Sequence, residues 1–345
     1  MTDQSPERLT NMFREAAEAA GAVARQEQDR AQLQRIGAAL RNRSPNVVIT
    51  CARGSSDHAA TFAKYAIETR IGVPVASAAP SVASVYGSHL RAEGAICLPI
   101  SQSGRSPDLL DTVAGLKSAG ACVIALVNEP QSPLAELAEE VLDLGAGAER
   151  SVAATKSFIA SLAAVSRLVA EWSDDEALRS ELSQLPARLR EAWELDWSPL
   201  TEELAGATDL YVLGRGVGFA VAQEAALKLK ETSQLHAEPF STAELRHGPM
   251  ALVREGFPAL IFSQSDETGQ MVEATATALA DRGAHVFLAG AEAPGATSLP
   301  TVRCTPLLEP ILQVQSFYRA ANALALARGL DPDRPPHLAK VTETR

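Results

Sequence analysis

The amino-acid sequence predicts an α/β protein made of two tandem copies of one unit, each a doubly wound parallel sheet flanked by helices. Three observations predict it. Residues 47–50, 95–100 and 123–127 are short, near-continuous apolar runs, as strands buried on both faces require. Segments with helical period lie between them. In residues 107–119, for example, Leu109, Leu110, Val113 and Leu116 share one face. Alternating strand and helix implies parallel βαβ units. The third observation is a repeat. Val48-Ile49-Thr50-Cys51-Ala52-Arg53-Gly54 returns as Leu210-Tyr211-Val212-Leu213-Gly214-Arg215-Gly216, with Arg53 and Arg215 162 positions apart. Leu98-Pro99-Ile100-Ser101-Gln102-Ser103 returns as Leu260-Ile261-Phe262-Ser263-Gln264-Ser265 at the same spacing. Ser118-Ala119-Gly120-Ala121 and Asp281-Arg282-Gly283-Ala284, each ahead of a strand run, match at 163. Three matches in order at one spacing point to a duplicated domain.

The organisation follows in chain order. Residues 1–40 read as helices ahead of the first sheet. Residues 41–170 form the first domain. Residues 171–205, rich in Glu, Trp and Leu, form a helical linker that packs on both halves. Residues 206–330 form the second domain. Residues 331–345, with Pro332, Pro335 and Pro336, read as an extended tail. The chain has 345 residues, the length of roughly two domains at about 150 residues each.

Composition narrows the function classes. Apolar residues make up 46% and charged residues 21%, a globular balance that excludes disorder. The formal net charge of −11 argues against nucleic acid or an anionic membrane as partner. It leaves room for a small anion, because backbone dipoles can bind one. The N-terminus lacks the apolar core of a signal peptide, and no run approaches the ~18 apolar residues of a membrane span. Cys51, Cys97, Cys122 and Cys304 include no CxxC pair, and three lie in strand runs, so they read as buried free thiols. A reducing, cytoplasmic location is expected.

In open parallel sheets, ligands bind beyond the carboxyl ends of the strands. There the loop Ser101-Gln102-Ser103-Gly104-Arg105-Ser106 offers hydroxyls and backbone N–H groups, with Ser106 as N-cap and Pro107 at the first helical position. The helix N-terminus adds about half a positive charge. The loop is a candidate phosphate cradle without Walker features; the alternative is an ordinary polar βα turn. Gly54-Ser55-Ser56 would face the same crevice. Ser151-Val152-Ala153-Ala154-Thr155-Lys156 opens a further apolar helix, which by itself signals only a cap. The densest polar cluster comprises Glu224, Lys228, Lys230, Glu231, His236, Glu238, Glu244, Arg246 and His247. Glu224, Lys228 and Glu231 fall at helical steps of four and three, on one face. A solvated ion-pair face would read the same way. The following stretches, 236–240 and 244–249, read as turn-rich and pair histidines with carboxylates, which suits proton shuttling on a sugar carbon. No HExxH or paired-His spacing suggests a metal.

At these residues the chain resembles the sugar isomerase (SIS) family, and within it the isomerase half of glutamine–fructose-6-phosphate aminotransferase. The resemblance runs from about residue 40 to the C-terminus. Its motifs are Arg53-Gly54-Ser55-Ser56-Asp57-His58-Ala59, Ile100-Ser101-Gln102-Ser103-Gly104, Val152-Ala153-Ala154-Thr155-Lys156, Ala225-Ala226-Leu227-Lys228-Leu229-Lys230-Glu231, His236-Ala237-Glu238, Glu244-Leu245-Arg246-His247-Gly248-Pro249 and Leu338-Ala339-Lys340. It implies two SIS domains, in agreement with the repeat. It also implies roles. Ser55, Ser56, Ser101, Gln102, Ser103 and Ser106, with Val152 and Ala153, would hold the sugar phosphate and hydroxyls. Glu231 would move a proton between C1 and C2, and Lys228 and Glu224 would orient it. His247 would assist ring opening from the neighbouring subunit of a homodimer. Lys340 would form a Schiff base with the open-chain ketose. No cofactor is implied.

Two departures stand out. The family's Cys-Gly-Thr-Ser is here Arg53-Gly54-Ser55-Ser56, and its Val-Ala-Ser-Thr-Lys is Val152-Ala153-Ala154-Thr155-Lys156. No cysteine precedes Cys51, so ammonia release from glutamine by a terminal cysteine is not expected. The pattern looks most like stand-alone deaminases that convert glucosamine 6-phosphate to fructose 6-phosphate and ammonia. Related alternatives are a galactosamine-6-phosphate deaminase, a fructosamine-6-phosphate deglycase and a simple aldose–ketose isomerase. A synthase subunit that needs a separate glutaminase is a third possibility, and a non-catalytic amino-sugar phosphate sensor is an alternative of another class. A sensor has no need of Glu231, His247 and Lys340 together.

Overall fold

Residues 10–340 are described by the computed structural model. The apolar runs become strands. β1 (Val48–Cys51), β2 (Val75–Ser77), β3 (Ile96–Ser101), β4 (Cys122–Val127) and β5 (Glu140–Asp143) form one sheet in the order β2-β1-β3-β4-β5. β6 (Asp209–Gly214), β7 (His236–Ser241), β8 (Pro258–Phe262), β9 (His285–Ala289) and β10 (Ala296–Leu299) form a second in the order β10-β9-β8-β6-β7. Every pairing is parallel. Counted from its own first strand, each sheet runs two, one, three, four, five, so the repeat seen in the sequence is a repeat of topology.

The backbone carries the repeat down to single dihedral angles. The residue before helix Ser55–Arg70 is Gly54, at φ 55° and ψ −132°; the residue before helix Val217–Ser233 is Gly216, at φ 57° and ψ −133°. That region is closed to residues with a Cβ at ordinary cost, so the turn after the first strand demands glycine in both copies.

The chain divides into two compact units, each built around one sheet. One unit holds residues 21–149, 157–183 and 339–340 with the first sheet, and the other holds residues 10–20, 150–156 and 184–338 with the second. In the first, helix Pro107–Ser118 presses Leu109, Val113 and Leu116 onto Cys51, Cys97, Val123 and Val127. In the second, helix Gly269–Ala280 presses Val272, Ala276 and Leu279 onto Tyr211, Ala259, Ile261 and Leu288. Each of the leucines and valines among them stabilises by about 1.5–3 kcal/mol on full burial. Cys51 and Cys97 are buried inside this packing; Cys122 and Cys304 are partly buried, and all four are thiols.

Among the described residues, helices Asn11–Ala17, Ala19–Arg25 and Arg30–Arg43 precede β1, and residues 1–9 of the expected N-terminal segment lie outside the described residues. The stretch 171–205 contains helices Glu176–Trp193 and Ser198–Leu204. One segment differs from the sequence reading. Residues 236–240, expected to be turn-rich, lie in β7. Its Pro239 cannot donate to a ladder, but β7 is an edge strand and tolerates it. Residues 331–340 form no helix or strand, and residues 341–345 of the expected tail lie outside the described residues. Among the described residues no helix is long and apolar enough to cross a membrane.

Candidate active site

The candidate phosphate loop follows β3. Ser101 ends the strand, and its Oγ accepts the Gly104 N–H at 3.0 Å, which curls the loop. Gly104 sits at φ 64°, and a Cβ there would fall 2.2 Å from Ser132 Oγ, so the turn needs glycine on two counts. Ser106 is the N-cap of helix Pro107–Ser118, as its sequence position predicts, yet its side chain makes no capping bond. Gln102, Ser103 and Ser106 are all half-buried. Ser55 and Ser56, also half-buried, open helix Ser55–Arg70 at the carboxyl end of β1, the neighbour of β3. Two helix N-termini and their hydroxyls therefore lie at adjacent strand ends, the arrangement that favours an anion.

In the second copy of this loop, the glutamine amide nitrogen and the second serine are engaged internally. Gln264, the counterpart of Gln102, is buried, with its Nε2 within 3.0 Å of Arg215 O, Asp266 Oδ2 and Thr268 Oγ1. Ser265, the counterpart of Ser103, donates its N–H and its hydroxyl to Glu309 at 2.7 and 3.0 Å. The sequence repeat alone gave no sign of this asymmetry, because the acceptors are supplied from Asp266, Thr268 and Glu309, outside the repeated triplet.

The carboxyl edge of the first sheet continues to Lys340. Asn128, just past β4, donates its backbone N–H to Ser101 O at 3.3 Å. Its side chain holds the next loop, accepting from Ala146 N at 2.8 Å and donating to Gly147 O at 2.9 Å. That loop delivers Glu149, whose carboxylate is fully buried and accepts Ser157 Oγ at 2.6 Å and Ser157 N at 3.2 Å. Lys340 Nζ lies 3.4 Å from Glu149 Oε2, with a quarter of its side chain exposed. Sequence reading missed Glu149. The signal available was a lone glutamate six residues past a strand end, three positions before Val152.

In the unit around the second sheet, helix Val217–Ser233 carries the acid–base cluster on one face, as its spacing predicts. Lys228 is 1% exposed and lies between two carboxylates, Glu231 Oε2 at 2.5 Å and Glu224 Oε1 at 3.5 Å. Tyr318, on helix Glu309–Ala327, donates its hydroxyl to the same Glu224 oxygen at 3.0 Å. A buried ammonium persists only when paired in this way. Glu231 is the one member open to solvent. It lines a cavity of about 530 Å³ with Leu227, Lys230, Gln234, Pro336, His337 and Leu338. Tyr318 was not legible in advance, since nothing in sequence joins residues 94 positions apart.

The remaining expected residues are placed as follows. His247 ends the turn Glu244–His247 and is exposed, as are His236, Glu238, Glu244 and Arg246. Val152 is half-buried and Ala153 buried, in the segment that follows Glu149. The N–H groups of Arg150 and Ser151 there are taken by Glu15, at 2.5 and 3.0 Å. Lys156 is buried and pairs with Glu18 at 2.6 Å. Cys51, beneath the Ser55 turn, has its thiol pushed up to about 12, by burial first and by Asp108 second, so it stays protonated and is no nucleophile at neutral pH.

Comparisons with known proteins identify the family. A family model described as the SIS domain matches residues 43–170 and 203–291. A glutamine–fructose-6-phosphate aminotransferase [isomerizing] from Symbiobacterium thermophilum is 34% identical over 313 residues, covering 85% of this chain and 51% of its own length. The chain thus spans about half the length of the curated relatives it matches. A solved structure from Silicibacter pomeroyi DSS-3, provisionally assigned as a phosphosugar isomerase, is 44% identical, covers 94% of this chain and all of its own, and superposes with a TM-score of 0.90. A glucosamine-6-phosphate deaminase from Thermotoga maritima shares the fold at 22% identity, with a TM-score of 0.71 over 94% of this chain and all of its own. With the family model spanning most of both sheets and a full-length relative at 44% identity, the chain belongs to the SIS domain family.

Proposed function

We propose that the protein is an amino-sugar phosphate isomerase and deaminase, converting glucosamine 6-phosphate and water to fructose 6-phosphate and ammonia. The observation that carries this reading is the buried series Tyr318–Glu224–Lys228–Glu231, which ends on a carboxylate open to a cavity. A protein that only binds a sugar phosphate gains nothing from an ammonium buried between two acids. An enzyme that moves a proton between adjacent carbons needs a carboxylate held in one place with its charge balanced.

In this reading the phosphate rests on Ser101, Gln102, Ser103 and Ser106, with Ser55 and Ser56 on its hydroxyl side. His247 opens the pyranose ring; it is exposed in the single chain, where a second copy would present it to the sugar. Glu231 takes the proton from C2 of the open-chain aldehyde and returns it at C1, leaving a C2 imine. Lys340 adds to that carbon and ammonia leaves, forming a ketose Schiff base. Water then hydrolyses it, releasing fructose 6-phosphate and the free amine. Adding to an imine requires the neutral amine, and Glu149 is the group on Lys340 able to take its proton. The self-filled loop at Gln264 supports one phosphate site per chain.

The test is ammonia release from glucosamine 6-phosphate without glutamine, with fructose 6-phosphate assayed in parallel. Equal amounts of both are expected. Ketose without ammonia from aldose phosphates would make it a simple isomerase. Tight binding without turnover of glucosamine, galactosamine or fructosamine 6-phosphate would make it a sensor.

A further inference from the structure

Arg53 stands where the family pattern has cysteine, at the carboxyl end of β1. Its guanidinium reaches the first turn of the helix that follows the phosphate loop, donating Nε at 2.9 Å and Nη2 at 2.6 Å to Asp108 Oδ2. The two partners are unequally placed: Asp108 is 1% exposed and Arg53 is 53% exposed. Asp108 lies two residues beyond Ser106. Without Arg53, its buried carboxylate, which also accepts the Leu109 N–H at 2.8 Å, would set a negative charge beside the N-terminus that a phosphate dianion must approach. It would also oppose the positive end of the helix dipole that makes the loop attractive to anions.

The second repeat provides an internal control. Arg215 is the counterpart of Arg53, and the position matching Asp108 is Gln270, which carries no charge. Arg215 turns instead to Ser241 Oγ at 3.2 Å. In that repeat the loop is filled by Gln264 and offers no cradle. The Arg–Asp pair therefore occurs in the repeat whose phosphate loop is open and not in the one whose loop is closed.

We propose that Arg53 is a positioning residue for phosphate binding: it cancels the Asp108 charge and ties the Ser55-Ser56 turn to the helix that carries the 101–106 loop. The inference rests on the reading of that loop as the phosphate site. Arg53 acts through Asp108, so its loss should weaken substrate binding while the chemical step on the bound sugar proceeds. Asp108→Asn should undo much of the defect, because it removes the charge that Arg53 balances.

The experiment compares wild type, Arg53→Leu, Arg53→Lys, Asp108→Asn and the double variant Arg53→Leu/Asp108→Asn. Binding of glucosamine 6-phosphate and fructose 6-phosphate is measured by calorimetry, and KM and kcat by ammonia release. Arg53→Leu should raise Kd and KM at least about tenfold with little change in kcat. Arg53→Lys should lose less. The double variant should recover most of the affinity lost by Arg53→Leu. The readout a purely structural role would not produce is the KM-against-kcat split in Arg53→Leu, measured where that variant is fully folded. Circular dichroism identifies any variant that fails to fold, and the Arg53→Lys and double variants then carry the comparison. If Ser103→Ala weakens binding and Arg53→Leu does not, or if the double variant shows no rescue, the proposal is overturned while the phosphate loop stands. If wild type binds neither sugar phosphate, the loop reading fails and the proposal falls with it.

Discussion

Replacing Lys228 by Met should destabilise the unit around the second sheet by about 3–5 kcal/mol. The side chain is 1% exposed, and the substitution strands one wholly buried carboxylate, Glu224, and one mostly buried one, Glu231. Methionine fills a similar volume, so the loss is one of charge balance with little cavity contribution. With a urea m value of about 3 kcal/mol per M, the midpoint should fall by roughly 1–1.7 M. Trp193 and Trp197 lie in this unit and report its unfolding by fluorescence. Glu224→Gln alone should cost less, because a glutamine oxygen can still accept the Tyr318 hydroxyl, 3.0 Å away in the native protein. Glu224→Gln combined with Lys228→Met should regain at least half the lost stability. A Lys228→Met midpoint within about 0.2 M of wild type would refute the argument. So would a double variant less stable than the single one.

Other expectations follow from the same geometry. Glu231→Gln should lower kcat by about 10²–10⁴-fold while leaving sugar phosphate affinity close to wild type, measured by steady-state kinetics and calorimetry. Ser101→Ala removes the acceptor of the Gly104 N–H and should act mainly on KM; a change confined to kcat would count against the phosphate loop. Thiol labelling at pH 8 should modify at most Cys122 and Cys304 in the native protein and all four cysteines in urea. Burial raises the Cys51 and Cys97 thiols, so at that pH their reactive thiolate is nearly absent.

The repeat was legible because it is written in residues that the backbone requires. Gly54 and Gly216 hold the same unusual φ and ψ, and the apolar runs before them must be strands buried on both faces. The series of Glu224, Lys228 and Glu231 was legible for a related reason, since helical spacing alone puts them on one face. What escaped were partners distant in sequence. Glu149 meets Lys340 across 191 positions and Tyr318 meets Glu224 across 94. The divergence of Gln102 and Gln264 escaped as well. Identical triplets in the two copies end in opposite conditions because different acids, Asp266 and Glu309, grew up beside one of them. Residues 236–240 read as a turn-rich stretch, whereas they lie in an edge strand, where the missing N–H of Pro239 costs nothing.

The covalent step of the proposed reaction is tested most directly at Lys340. Incubation with fructose 6-phosphate and borohydride, followed by peptide mass spectrometry, should trap a reduced sugar adduct on Lys340, absent from Lys340→Ala and reduced in Glu149→Gln. Lys340→Ala should still bind the sugar phosphate. No adduct on Lys340 in a protein that binds fructose 6-phosphate, or undiminished turnover by Lys340→Ala, would contradict the Schiff-base account.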